Sequence, residues 1–213
     1  MIKLMLADDH TIIRKGLKLL LEMNGTMKVV AEATSAAECI LFPNGSDADI
    51  LLLDIAISEC SGLDVLNKLR AISKTCKVIV LTGIREIDYL IRAVELDVDG
   101  YIMNDSSPEE LFRAIQTVYY DGKKYIQPDL IPALNSSLIK RDYEKEKIDS
   151  LTRREMEVLI KVAHGNINRD IASDLDISER TVKNHIASIF KKIDVEDRTQ
   201  AAVFAIKNSL IEI

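Results

Sequence analysis

Four side chains that close apolar runs could do chemistry together: Asp8, Asp9, Asp54 and Thr82. Asp8 and Asp9 follow the run from Ile2 to Ala7, Asp54 follows Ile50-Leu51-Leu52-Leu53, and Thr82 follows Val78-Ile79-Val80-Leu81. A single Asp after a strand is usually a turn or cap residue. A pair, then a third acid, then a Thr, each ending a successive apolar run, is a more specific pattern. Carboxylates brought together repel one another unless a cation sits among them. A hard divalent ion meets that need, and magnesium suits one or two carboxylates plus a phosphate. Magnesium beside a strand-end aspartate is a phosphoryl-transfer arrangement. The carboxylate acts as nucleophile, and the ion stabilises charge on the transferring oxygens. A hydroxyl at Thr82 could reach the phosphoryl group.

A second group lies near the C-terminus. Residues 169–175, the turn Asp176-Ile177-Ser178 and residues 179–193 form a helix-turn-helix pattern. Ile171, Ala172, Leu175, Ile177, Val182, Ile186 and Ile189 are spaced to pack the two helices together. Ser178 is a good N-cap for the second helix, whose N-terminal amides suit a phosphate. Arg180, Lys183, Lys191 and Lys192 outweigh Glu179 and make this helix locally basic. The competing reading is the solvated face of a plain helical hairpin.

Those residues need elements to hold them. Strands are predicted at 2–7, 28–33, 50–54, 78–82 and 100–103, alternating with helices at 12–23, 36–41, 63–72, 87–96 and 109–120. Runs that are apolar at every position are buried on both faces, as in a parallel sheet covered by helices. The pattern predicts an α/β doubly wound, flavodoxin-like fold with a five-stranded parallel sheet. In such sheets ligands sit at the carboxyl ends of the strands near the topological switch point. Asp8, Asp9 and Asp54 converge there if strands one and three are neighbours. Ser107-Pro108-Glu109-Glu110 is a strong helix start. Composition then shifts toward Pro, Asn, Ser and charge over residues 125–147, which reads as a linker with room for a helical piece. From Leu151 onward only helical spacing appears, at 153–164, 169–175, 179–193 and 199–208, with Thr152 and Glu155 placed as a capping box. The expected organisation is a first domain at 1–122, a linker at 123–147 and an all-α four-helix domain at 148–213.

Composition sets limits. With 47% hydrophobic and 29% charged residues the chain is an ordinary globular sequence rather than a disordered one. A net charge of −6 does not advertise nucleic-acid binding, but a global sum can hide a local basic surface. Cys39, Cys60 and Cys76 lack metal-ligand spacing and read as reduced thiols. No signal peptide precedes Asp8, and no run of about 18 apolar residues exists. A cytoplasmic protein with no membrane partner is expected.

The first 122 residues resemble the receiver domain of two-component response regulators. The matching stretches are Ala7-Asp8-Asp9-His10, Leu53-Asp54-Ile55, Ser61-Gly62-Leu63, Leu81-Thr82 and Asp99-Gly100-Tyr101. The resemblance implies that Asp54 is the phosphoacceptor, with a sensor histidine kinase as donor. It implies Asp9, Asp54 and the Ala56 carbonyl as Mg2+ ligands, Asp8 acting through water, and Thr82 and Tyr101 as switch residues. Two departures stand out. Ile57-Ser58 replaces the family's usual Met-Pro, and Asn104 stands where the family has a lysine. Lysine brings a full charge to the phosphoryl oxygens, whereas asparagine brings only a neutral donor. Slow phosphorylation of Asp54, or weak coupling to conformation, follows.

Residues 151–206 resemble the LuxR-type helix-turn-helix of the NarL/FixJ family. The matching stretches include Leu151-Thr152-Arg153-Arg154-Glu155, Asp170-Ile171-Ala172, Ile177 through Ile186, and Arg198-Thr199-Gln200-Ala201. The resemblance puts the second helix in the major groove of double-stranded DNA. Lys183 and Asn184 would lie nearest base edges, with Ala187 a third groove-facing position. Arg180, Thr181, Lys191 and Lys192 would hold phosphates, with Asn168 and Arg169 as further phosphate contacts. His185 stays open between phosphate contact and packing. The last helix, through Ala202, Val203 and Ile206, would either join a homodimer on DNA or pack on its own domain.

The leading expectation is a transcriptional response regulator, not an enzyme, switched by phosphorylation of Asp54. An atypical receiver that regulates transcription independently of phosphorylation is the alternative that Asn104 motivates. A metal-dependent phosphohydrolase would want an acid two residues after its nucleophile, and Ala56 stands there. A sensor binding a small apolar ligand fits poorly with an acid-lined first domain.

Overall fold

Fully apolar strands need cover on both faces, and the N-terminal part of the chain provides it. A computed structural model describes residues 1–23, 25–41, 47–57, 62–72 and 76–211. It divides into two units, Met1–Ser136 and Ser137–Ile213. In the first unit β1 (Ile2–Ala7), β2 (Met27–Ala33), β3 (Ile50–Leu53), β4 (Lys77–Thr82) and β5 (Gly100–Met103) form a parallel sheet. The intervening helices are α1 (Thr11–Glu22), α2 (Ala36–Leu41), α3 (Gly62–Ile72), α4 (Ile87–Glu95) and α5 (Pro108–Gln116). Every residue of β3 and β5 is buried, as their unbroken apolar runs require. One core cluster joins Leu4, Leu6, Ile50, Leu52, Ile79 and Ile102 of the sheet to Leu111 and Ile115 of α5.

Among the described residues the sheet has six strands, not the five expected, in the order β2-β1-β3-β4-β5-β6. The added β6 (Tyr125–Ile126) lies within the predicted linker. Two residues are too short to show a period. What makes them a strand is the free edge of β5, where the Tyr125 amide donates to the Asp99 carbonyl and the Gln127 amide to that of Tyr101. The rest of that span is also ordered: α6 (Ile131–Asp149) begins one residue before Pro132. A proline in the first turn removes no intrahelical hydrogen bond. The division between the units falls inside this helix.

The second unit contains α7 (Arg153–Ala163), α8 (Asn168–Asp174), α9 (Glu179–Ile193) and α10 (Arg198–Lys207). Val158, Leu159, Ile171, Val182, Ile189, Ile193, Ala201 and Phe204 make its core. Thr152 and Glu155 complete the capping box at the start of α7. Asp176, with φ of 52°, turns the chain between α8 and α9. No helix among the described residues is long and apolar enough to cross a membrane.

Candidate functional site

β1 and β3 are direct neighbours, with Ala7 opposite Leu53. The residues that follow each strand therefore emerge side by side. Donor atoms of Asp8, Asp9, His10 and Asp54 all lie within 4.8 Å of one another. Asp8 is buried and Asp54 half-buried. Burial pushes the Asp54 carboxyl above its usual pKa. The Ala56 amide, donating at 3.0 Å, pulls it back, and the charges of Asp8 and Asp9 raise it again. This crowded, acid-rich oxygen set fits a hard divalent cation.

Neighbouring backbone fixes the pocket. Gly62 opens α3 against the turn after β3, its amide donating to the Ile55 carbonyl at 2.9 Å. A Cβ there would come within 2.5 Å of Ile55 Cα and 2.8 Å of the Asp54 carbonyl oxygen. Only glycine permits that approach. Ser58, Cys60 and Ser61 of the adjoining loop lie outside the described residues. On the other side Thr82 is fully buried, and its Oγ1 accepts the Ile84 amide at 3.1 Å. The Asn104 amide donates to the Thr82 carbonyl at 2.8 Å. The Asn104 side chain is exposed at the pocket rim, where a Cβ on Gly83 would meet its Nδ2 at 2.9 Å. With Asp8, Asp54 and apolar side chains it lines a cavity of about 30 Å³. Tyr101 is buried, and burial together with Glu86 holds its phenol protonated up to a pKa of about 12.

In the second unit α9 has two faces. Val182, Ile189 and Ile193 are buried, while Arg180, Lys183, Asn184, Ala187 and Lys191 are exposed. The spacing from 180 to 184, 187 and 191 is that of one helix face. Ser178 caps the helix, its Oγ accepting the Thr181 amide at 3.1 Å. Arg169 is exposed on α8. On α10 Val203 and Ile206 face outward, Ala202 is half-buried, and Ala201, Phe204 and Ala205 face the core.

The family model for the response regulator receiver domain matches residues 4–116, and that for bacterial regulatory proteins of the luxR family matches residues 149–205. The chain is 35% identical to the uncharacterized transcriptional regulatory protein YhcZ of Bacillus subtilis, over 98% of this chain and 97% of that one. It is 36% identical to the nitrate/nitrite response regulator protein NarP of Escherichia coli, over 94% and 93%. Among solved structures, response regulator ChrA of a heme-sensing two-component system aligns with a TM-score of 0.54 and 29% identity, covering 99% of this chain and 98% of ChrA. The chain belongs to the NarL/FixJ family of luxR-type response regulators. It is a two-component transcriptional regulator of that family, and these relatives give the phosphorylation-independent alternative no support.

Not every residue singled out in the regulator's sequence has its side chain available. Lys192 donates to Glu155 at 2.7 Å and to the Ser150 carbonyl at 2.9 Å, turning its ammonium toward α7. Asn168 accepts from Arg198 at 3.1 Å. Thr181 is half-buried and shares a hydrogen bond with Ser178.

Three contributors were missed. Glu155 is buried and accepts from the Thr152 amide, Ser188 and Lys192, tying α7 to α9. Burial alone would raise its pKa, but these hydrogen bonds, led by Lys192, bring it down to about 2. Arg14, also buried, donates to the Asp8 carbonyl at 2.7 Å and to Glu32 at 3.1 Å, holding the turn after β1. His10 brings Nδ1 to 2.8 Å from Asp9. The capping-box motif marked Glu155 and the receiver-like stretch Ala7-Asp8-Asp9-His10 contains His10, neither with this role, and no local pattern marked Arg14.

Proposed function

We propose that Asp54 accepts a phosphoryl group from a sensor histidine kinase and that this event governs DNA binding by α9. The observation that carries the reading is the register of β1 against β3, which sets Asp8 and Asp9 beside Asp54. Asp9, Asp54 and the Ala56 carbonyl would hold a magnesium ion, with Asp8 acting through water. When bound, the ion supplies positive charge to the phosphoryl oxygens. The Asp54 carboxylate is the nucleophile, and the aspartyl phosphate adds negative charge beside Thr82. Thr82 then gives up its bond to the Ile84 amide to meet a phosphoryl oxygen, and Tyr101 responds. Asn104 stabilises the transferring group with a neutral donor only.

At the other site Lys183 and Asn184 read base edges, Ala187 adds a groove-facing methyl, and Arg169, Arg180 and Lys191 hold phosphates. Lys192, Asn168 and Thr181 support this surface from behind. Val203, Ile206 and Ala202 contribute to a homodimer on DNA. Residues 1–122 act as receiver, 123–147 join the parts, and 148–213 bind DNA, in the cytoplasm and without catalytic turnover of a separate substrate.

Full-length protein is incubated with a small phosphodonor and magnesium, and intact mass is recorded. One added phosphoryl group is expected on the wild type and none on Asp54→Asn. An unchanged wild-type mass, or equal gain in the variant, overturns the assignment of Asp54.

A further inference from the structure

We propose that His10 makes the acidic pocket selective for a borderline transition-metal ion, such as zinc or cobalt(II), which competes with magnesium and blocks phosphorylation. The inference rests on the acidic pocket being the receiver's cation site. His10 is the N-cap residue of α1, yet its side chain makes no capping hydrogen bond. Its backbone amide donates to Asp8 Oδ1 at 2.6 Å, which folds the ring back over the carboxylates. Nδ1 lies 2.8 Å from Asp9 Oδ1 and 3.3 Å from Asp8 Oδ1.

A magnesium ion gains nothing from this ring, because it prefers six hard oxygen donors and keeps several waters. Zinc binds imidazole nitrogen and carboxylate oxygen at about 2.0–2.2 Å in tetrahedral geometry, which sets neighbouring donors about 3.3 Å apart. The separations of His10 from Asp8 and Asp9 are already close to that edge. Asp54 is the fourth donor, within 4.8 Å of the others. Nδ1 thus lies beside two carboxylates, within reach of an ion set among them.

The consequence for the switch follows from coordination number. A tetrahedral ion with four protein ligands has no open position. It leaves no place for a phosphoryl oxygen, whereas magnesium, with fewer protein ligands, would keep an open position for one. His10 is thus a specificity-determining residue for the cation.

The test titrates full-length wild type, His10→Gln and Asp54→Asn with magnesium, zinc and cobalt(II) by calorimetry, and records the cobalt visible spectrum. His10→Gln is expected to weaken zinc and cobalt binding by at least roughly tenfold, since losing even an outer partner of a metal site costs about 10–100-fold, and to leave magnesium binding within about twofold. One equivalent of zinc is expected to suppress the phosphodonor mass gain in the wild type and not in His10→Gln. Equal loss of all three metals in His10→Gln, no loss of zinc affinity, or a cobalt–thiolate charge-transfer band overturns the role of His10 while magnesium-dependent modification of Asp54 persists. Failure of the wild type to bind magnesium overturns the cation-site reading, and this inference with it.

Discussion

At the scale of single residues, the balance of charge around Asp54 sets the chemistry. Asn104 offers a neutral amide where a full positive charge would stabilise the transition state more. Removing one such preorganised donor in other enzymes costs about 10²–10³ in rate. Asn104→Lys is therefore expected to raise the phosphorylation rate with a small phosphodonor by at least roughly tenfold, read by time-resolved intact mass. A variant no faster than wild type would mean that charge at this rim position does not reach the phosphoryl group. Glu155 makes a second residue-scale prediction. Its folded pKa of about 2 lies below the ordinary 4.5. The stability it contributes is complete above about pH 4.5 and is lost as pH falls toward 2. Urea unfolding followed through the helical signal should show the wild type losing stability across that window, and Glu155→Gln, less stable at neutral pH, losing less.

At the scale of elements, α9 carries the division of labour. Its apolar residues at 182, 189 and 193 face the core of the second unit, and its exposed residues at 180, 184, 187 and 191 form another stripe. On the proposed DNA-binding reading, this stripe and the neighbouring exposed Lys183 divide two jobs. Lys183→Ala should cost about 1–3 kcal/mol in DNA binding and relax sequence preference. Lys191→Ala should weaken binding to all sequences alike and reduce the salt slope by about 1. Binding isotherms on specific and scrambled duplexes at several salt concentrations separate the two effects. The same helix also carries a basic residue with a partner inside its own unit. Lys192 follows Lys191 in sequence, but one step along a helix rotates a side chain by about 100°, and Lys192 meets the buried Glu155 instead.

At the scale of the whole molecule, two units with separate cores share one chain of net charge −6. The acidic excess makes local basic surface, rather than global attraction, responsible for meeting DNA. A fragment covering residues 137–213 is expected to bind a promoter duplex with an affinity that a phosphodonor leaves unchanged. The full-length protein should bind more tightly after phosphodonor treatment. Fluorescence anisotropy at one fixed salt concentration checks both, and a response to phosphodonor in the fragment would contradict control by Asp54.

The chain's local patterns were enough to determine its first five strands, its helix-turn-helix, the acids at strand ends and the capping box, because period and capping depend on residues a few positions apart. Tertiary structure decided what depends on distant partners. Strand order placed β1 against β3, which made neighbours of Asp9 and Asp54 although 45 residues separate them. The free edge of β5 turned two linker residues into β6. Packing of α7 on α9 gave Lys192 the buried Glu155 as a partner, and the fold of the β1–α1 turn brought His10 beside the carboxylates. A side chain's period tells which face it occupies, but what it meets there is fixed by an element elsewhere in the chain.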